Sequence, residues 1–178
     1  MICGKVWKFG DDIDTDAIIP GRYLDEYSPE ILALHAMEGV DSEFASKVSK
    51  GDIIVAGRHF GIGSSREQAV IALMAAGVEV ILAESFARIF YRNAINRGSL
   101  PLVCPGCSET FETGEKLCVD LMKGRASSLT DPKKSIAFQS MPAYLSKIHS
   151  SGGLIKMLRS EMSHQSFGDE KDNEFNMR

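Results

Sequence analysis

The feature that most constrains this chain is a succession of strand, helix, strand, helix and strand between residues 53 and 103. Ile53 to Ala56 is a continuous apolar run, and Val78 to Ala83 is nearly so. Both are too short for a buried helix and typical of strands covered on both faces. Gln68 to Ala76, closed by Gly77, and Phe86 to Asn96, capped by Ser85 and closed by Gly98, have the character of helices; Leu100 to Val103 adds a third short strand. Helices between short apolar strands imply a parallel α/β unit with right-handed crossovers. Upstream, Ile2 to Phe9 alternates well enough for a first strand, and Ser28–Pro29–Glu30 opens a short helix that ends at Gly39. After Cys107 the period changes. Short antiparallel strands are expected near 117–121, 126–129 and 135–138, followed by a helix from Pro142 to Ile148 and a last turn from Leu154 to Leu158. The expected organisation is one domain over 1–160 and a polar tail over 161–178, too poor in large apolar groups to fold by itself.

Bulk properties remove several functional classes. The chain has 178 residues, 44% apolar and 25% charged, with a net charge of −4. That charge gives no attraction to nucleic acid or an anionic membrane. No apolar run approaches the roughly 20 residues that span a bilayer. Met1 to Lys8 lacks the charged and apolar segments of a secretory signal, so a cytoplasmic location is expected. The four cysteines, Cys3, Cys104, Cys107 and Cys118, are then expected as reduced thiols. Cys104–Pro105–Gly106–Cys107 has a redox or zinc spacing, but no second pair completes four ligands, and a Pro-Gly turn accounts for it. No metal site is expected on this chain.

The segment Gly57–Arg58–His59–Phe60–Gly61–Ile62–Gly63–Ser64–Ser65–Arg66–Glu67 carries the chemistry. A buried strand ends, three glycines allow a tight turn, and two hydroxyls and a guanidinium meet the start of a helix. Free N–H groups and the helix dipole favour an anion there, and Arg66 can grip a carboxylate bidentately. A capping box of Ser64 and Glu67 would explain those two residues but not the glycines, Ser65 or Arg66. The segment matches neither a nucleotide phosphate loop nor a serine-hydrolase elbow. The residues alone thus lead to an α/β domain with a small-anion pocket.

Three motifs extend this. Phe9 to Pro20 (with Gly10–Asp11–Asp12–Ile13–Asp14–Thr15–Asp16), Phe60 to Glu67 and Ser85 to Gly98 resemble, in order and spacing, the small subunits of 3-isopropylmalate dehydratase and homoaconitase, which match the mobile fourth domain of aconitase. The similarity extends to about Leu158. It implies a swivelling β/β/α domain of aconitase type, with a short parallel α/β unit plus antiparallel strands. It further implies a hydro-lyase subunit active only with an aconitase-like large subunit, as a heterodimer or heterotetramer. The reaction would be the dehydration and rehydration of a small hydroxy-di- or tricarboxylate in leucine biosynthesis. By the resemblance Ser64 is the catalytic base, Ser65 and Arg66 bind substrate carboxylate, and Thr15 and Asp16 add further substrate-binding groups. A [4Fe-4S] cluster is expected in the large subunit and none on this chain, which lacks three well-placed thiolates.

One segment departs from the family pattern. The loop that matters for substrate choice runs Tyr23–Leu24–Asp25–Glu26–Tyr27, where relatives commonly have Arg or Asn-Thr after Tyr-Leu. Two acids beside a polycarboxylate pocket would repel substrate. Homoaconitase and methylmalate (citramalate) or dimethylmalate dehydratase therefore stay open as alternatives, as does a non-catalytic binding module that retains the fold.

Overall fold

The structure is a computed structural model that describes residues 1–173, with side chains as far as Ser163. In chain order its elements are β1 (Ile2–Lys8), α1 (Thr15–Ile18), α2 (Pro29–Ala33), α3 (Phe44–Lys47), β2 (Ile53–Ala56), α4 (Glu67–Ala76), β3 (Val80–Ala83), α5 (Arg88–Arg97) and β4 (Leu100–Val103). They continue as α6 (Cys107–Thr110), β5 (Lys116–Asp120), β6 (Arg125–Ser128), β7 (Ser135–Ala137), α7 (Ala143–Ser150) and α8 (Leu154–Asn173). A single seven-stranded sheet has the order β4-β3-β2-β1-β5-β6-β7. β1 to β4 pair in parallel, while β5 pairs antiparallel with β1 and starts an antiparallel meander through β6 and β7. This is the α/β architecture expected from the sequence.

Alternation along the central strands explains why they are apolar throughout. Ile54 and Ala56 of β2, with Ile81 and Ala83 of β3, face a cluster built with Ala69, Val70 and Leu73 of α4 and Leu32 of α2. Ile53, Val55, Val80 and Leu82 face the opposite cluster, with Phe111, Leu117, Val119 and Phe138. Both faces are covered, so no polar position survives in β2 or β3. Gly77 closes α4 at φ 108°, where a Cβ would approach Lys50 Cα to 2.9 Å, so only glycine fits the turn into β3.

Asp52 anchors the start of β2. It is 5% exposed and accepts from the Trp7 indole N–H (2.9 Å) and from the backbone N–H of Lys5 (3.1 Å) and Ser49 (3.0 Å). Asp52→Ala is expected to destabilise the chain by about 2–4 kcal/mol, because the buried indole donor loses its acceptor. Urea unfolding should show the midpoint falling at unchanged slope.

Several expectations need correction. The helix opened by Pro29 stops at Ala33, not Gly39: Met37 adopts φ 60° and donates its N–H to Ile18 O (2.7 Å), a tertiary bond that turns the chain inward. Ser85 does not cap α5, which starts at Arg88; its Oγ instead accepts from His59 N (2.9 Å). Cys3 and Cys118, expected as free thiols, form a disulfide with Cα atoms 4.1 Å apart, because the β1–β5 register sets them opposite each other. Cys104 and Cys107 are free and fully buried at the turn into α6, so they act as small core residues. The last turn expected over 154–158 is the start of α8, which runs to Asn173, with Lys147 of α7 paired to its Glu161 (2.6 Å). Residues 174–178 of the expected tail lie outside the described residues. Among the described residues, no helix is long and apolar enough to cross a membrane.

Candidate functional site

The loops that leave the carboxyl ends of β1, β2 and β3 meet above the parallel half of the sheet, where open α/β sheets bind ligands. Backbone hydrogen bonds zip them together. Gly61 N donates to Ile13 O (2.7 Å), Thr15 N to Ile62 O (2.8 Å) and Asp12 N to Arg58 O (2.8 Å), which joins the first loop to the second. Phe60 N donates to Ser85 O and Ala87 N to Phe60 O, both at 3.0 Å, which joins the second to the third. The acid-rich segment after β1 serves partly in this scaffold. Asp11 Oδ1 accepts from Arg58 N (2.7 Å), Asp12 meets His59 Nδ1 (2.8 Å), and Asp14 caps α1 by accepting from Ala17 N (2.6 Å).

This scaffold presents Ser64 and Ser65 to solvent just ahead of α4. Ser64 is not the helix cap. The N-cap is Arg66, without a side-chain cap bond, and neither serine hydroxyl makes a hydrogen bond among the described residues. Glu67 does not close a capping box either, since it pairs with Arg97 Nε of α5 (2.7 Å). That hydrogen bond holds the Glu67 carboxyl below its usual range, against a smaller effect of burial. Both residues that a plain cap would use are therefore otherwise placed, and the Ser64 hydroxyl is left available.

Arg66 lies below the serines with its side chain 13% exposed. Its Nη1 pairs with Asp16 Oδ1 and reaches Ile19 O (3.4 Å), while its buried Nε has no partner. The hydrogen bond from Arg66 holds Asp16 below its usual range; burial opposes, and the Arg66 charge and Gly21 N–H reinforce it. The pairing is thus fully formed at neutral pH and is lost only as pH falls through the lowered Asp16 pKa. Thr15 is 2% exposed, its Oγ1 has no partner, and a Cβ on Gly63 would sit 3.3 Å from that oxygen. The structure therefore gathers Thr15, Asp16, Ser64, Ser65 and Arg66 at one place. An anion entering there would meet the hydroxyls of Ser64 and Ser65, the first N–H groups of α4 and the partly exposed guanidinium of Arg66, whose Nε and the Thr15 hydroxyl stay buried behind.

The loop Tyr23 to Tyr27 borders this site but divides its residues. Tyr23 stacks on His35 (3.9 Å between ring centres) and donates to Glu38 (3.3 Å), turned toward a cluster that also holds Arg22. Glu26 Oε1 accepts from Tyr27 N (2.8 Å) and Ser28 N (2.7 Å), so this acid shapes its own loop. Asp25 and Tyr27 are exposed. Gln68 Nε2 donates to Leu24 O (2.9 Å), a link between the loop and α4 that sequence reasoning missed because it joins residues 44 apart. Of the arginines of α5, Arg97 pairs with Glu67, whereas Arg88 and Arg92 line a shallow cleft with Gly61 and Gly63.

Comparison with known proteins shows the family and the fold. The aconitase C-terminal domain family matches residues 12–106, which contain Thr15, Asp16, Ser64, Ser65 and Arg66. The 3-isopropylmalate dehydratase small subunit 1 of Methanopyrus kandleri is 51% identical over 161 residues, covering 90% of this chain and 94% of that one. The methanogen homoaconitase small subunit of Methanothermobacter thermautotrophicus is 49% identical over 170 residues, covering 96% and 98%. A crystal structure described as 3-isopropylmalate dehydratase from Methanocaldococcus jannaschii superposes with a TM-score of 0.88 at 45% identity, covering 94% of this chain and 98% of that one.

Proposed function

We propose that this chain, which belongs to the aconitase C-terminal domain family among the small subunits of 3-isopropylmalate dehydratases, supplies the base that interconverts 2- and 3-isopropylmalate in leucine biosynthesis. The observation that carries the residue assignment is the free, exposed Ser64 hydroxyl beside the N-terminus of α4 and Arg66.

A neutral serine is far too weak a base to take a proton from carbon. As an alkoxide, held by the α4 N–H groups and the nearby guanidinium, it is strong enough. Ser64 Oγ accepts the proton from the carbon next to a carboxylate and a double bond forms as the neighbouring C–O bond breaks, the departing hydroxide being one that the Lewis-acid iron of a large-subunit cluster would stabilise. Rehydration with the opposite regiochemistry returns the proton from Ser64. Ser65 and the Arg66 guanidinium bind the carboxylate, Asp16 orients Arg66, and the buried Thr15 hydroxyl lies behind them under Gly63.

The iron–sulfur cluster of the family does not fit this chain's own thiols: Cys3 and Cys118 are joined, and Cys104 and Cys107 are buried on the far side of the sheet's central strands from α4. We assign it to an aconitase-like large subunit in a cytoplasmic heteromer. A citramalate reading is kept as the alternative by one feature, the exposed Asp25, which would repel the third carboxylate of a homoaconitase substrate but not a small alkyl group. Against a non-catalytic module stands the unused Ser64 hydroxyl, which no structural role consumes.

The purified chain is expected to fold yet show no turnover, and to gain 3-isopropylmalate dehydration on addition of a large subunit. Activity of the chain alone, or none on any hydroxy-acid in a properly assembled pair, would overturn the reading.

A further inference from the structure

We infer that Gln68 is a positioning residue for substrate choice, holding the Tyr23–Tyr27 loop at a set distance from Ser64, Ser65 and Arg66. The inference rests on the function proposed above and concerns a residue which that function does not use. Gln68 is the second residue of α4, directly after the turn that carries Ser64 to Arg66. Its amide donates to Leu24 O at 2.9 Å, in a partly buried setting. Leu24 sits immediately before Asp25, the exposed acid that would meet the substrate's variable group.

Other bonds of the loop do not perform this task. Glu26 bonds only to Tyr27 N and Ser28 N within the loop, and Tyr23 is tied to His35 and Glu38 on the outer side. Ahead of the loop, the Gly21 N–H hydrogen-bonds to the Asp16 carboxylate, which anchors residue 21 and not the stretch from Leu24 onward. The Gln68 amide is thus the hydrogen bond that joins Leu24 to α4. Because Ser64 and Ser65 lie just ahead of α4, one side chain sets the spacing between the proton-transfer group and the part of the pocket that reads the substrate. A misplacement of about 1 Å can cost roughly 10²-fold in rate, so the loss of this bond should act on preference between substrates.

The test uses the assembled small and large subunits with Gln68→Met, which keeps the length but has no donor, and Gln68→Glu, which keeps the shape but offers only acceptors at neutral pH. Gln68→His, whose ring N–H can still donate, serves as the conservative rescue. The ratio of kcat/KM for isopropylmalate to that for citramalate is expected to change by roughly tenfold in Met and Glu, within the range of one pocket contact. KM should move more than kcat, and the His variant should stay within about twofold of the parent. An unchanged ratio in Met and Glu, or an equal loss on both substrates, would overturn the inference. Ser64→Ala, measured in parallel, separates the two readings. If Ser64→Ala retains turnover, the assignment of Ser64 fails whatever the Gln68 ratio does; if it loses turnover while the ratio holds, only the role of Gln68 fails.

Discussion

Ser64→Ala, assembled with the large subunit, is expected to lose turnover by at least the roughly 10²–10⁴ attributed to a positioned proton-transfer group. The substitution removes one oxygen from an exposed position that makes no hydrogen bond among the described residues, so nothing in the fold depends on it. Arg66 and Ser65 remain to hold the carboxylate, and KM should change little. Unfolding temperature should be that of the parent. Steady-state kinetics and a melting curve on the same preparation decide the matter: activity close to the parent would remove Ser64 from the chemistry. A large loss accompanied by a lower melting temperature would point to misfolding, and Ser64→Cys, which keeps a titratable group in place, would then distinguish the two.

Gly61→Ala is expected to damage both fold and site. Gly61 adopts φ 80°, a left-handed conformation that costs an ordinary residue about 1–2 kcal/mol. A Cβ there would lie 2.2 Å from Phe90 Cγ and 2.5 Å from Phe90 Cβ. Phe90 is 2% exposed and packs edge-on against Phe60, so it cannot swing aside without opening the core. Overpacking adds about 1–3 kcal/mol, for a combined destabilisation of roughly 2–5 kcal/mol. In a chain of this length that lowers the melting temperature by roughly 5–15 °C. The loop would have to move, and with it Ile13 O, which accepts from Gly61 N, so turnover of the assembled enzyme should fall as well. Thermal unfolding of the chain alone provides the check; a shift below about 2 °C would show that the close approach to Phe90 is not a real constraint.

Strand and helix order, the switch from parallel to antiparallel pairing and the glycine-rich loop ahead of α4 were all legible in the residues. Their physical basis is local. A strand buried on both faces must be apolar throughout, as Ile53 to Ala56 is, and a chain turning from α4 into β3 against Lys50 needs glycine at 77. Thr15, Asp16, Ser64, Ser65 and Arg66 were picked by motif, and the fold brings them together because Thr15 N reaches Ile62 O and Arg66 reaches Asp16. Element ends were less legible. Residues 34–37 have helical spacing, yet a bond from Met37 to Ile18 wins over continued helix. Ser85 looks like a cap and is used by His59 instead.

By itself, then, the sequence determined the fold class, the loop that carries the candidate site and the family, because periodicity, glycine positions and motif spacing are properties of neighbouring residues. Only the tertiary structure decided what each polar group is used for. Separations of 30 residues between Glu67 and Arg97, 44 between Leu24 and Gln68 and 115 between Cys3 and Cys118 leave no trace in local pattern. Such pairs are set by sheet order and helix packing. A capping reading of Ser64 and a pocket reading of Glu26 are equally sound on the chain alone, and both give way once the partners are in place: Glu67 turns to Arg97, Glu26 turns to its own backbone, and Ser64 is left free.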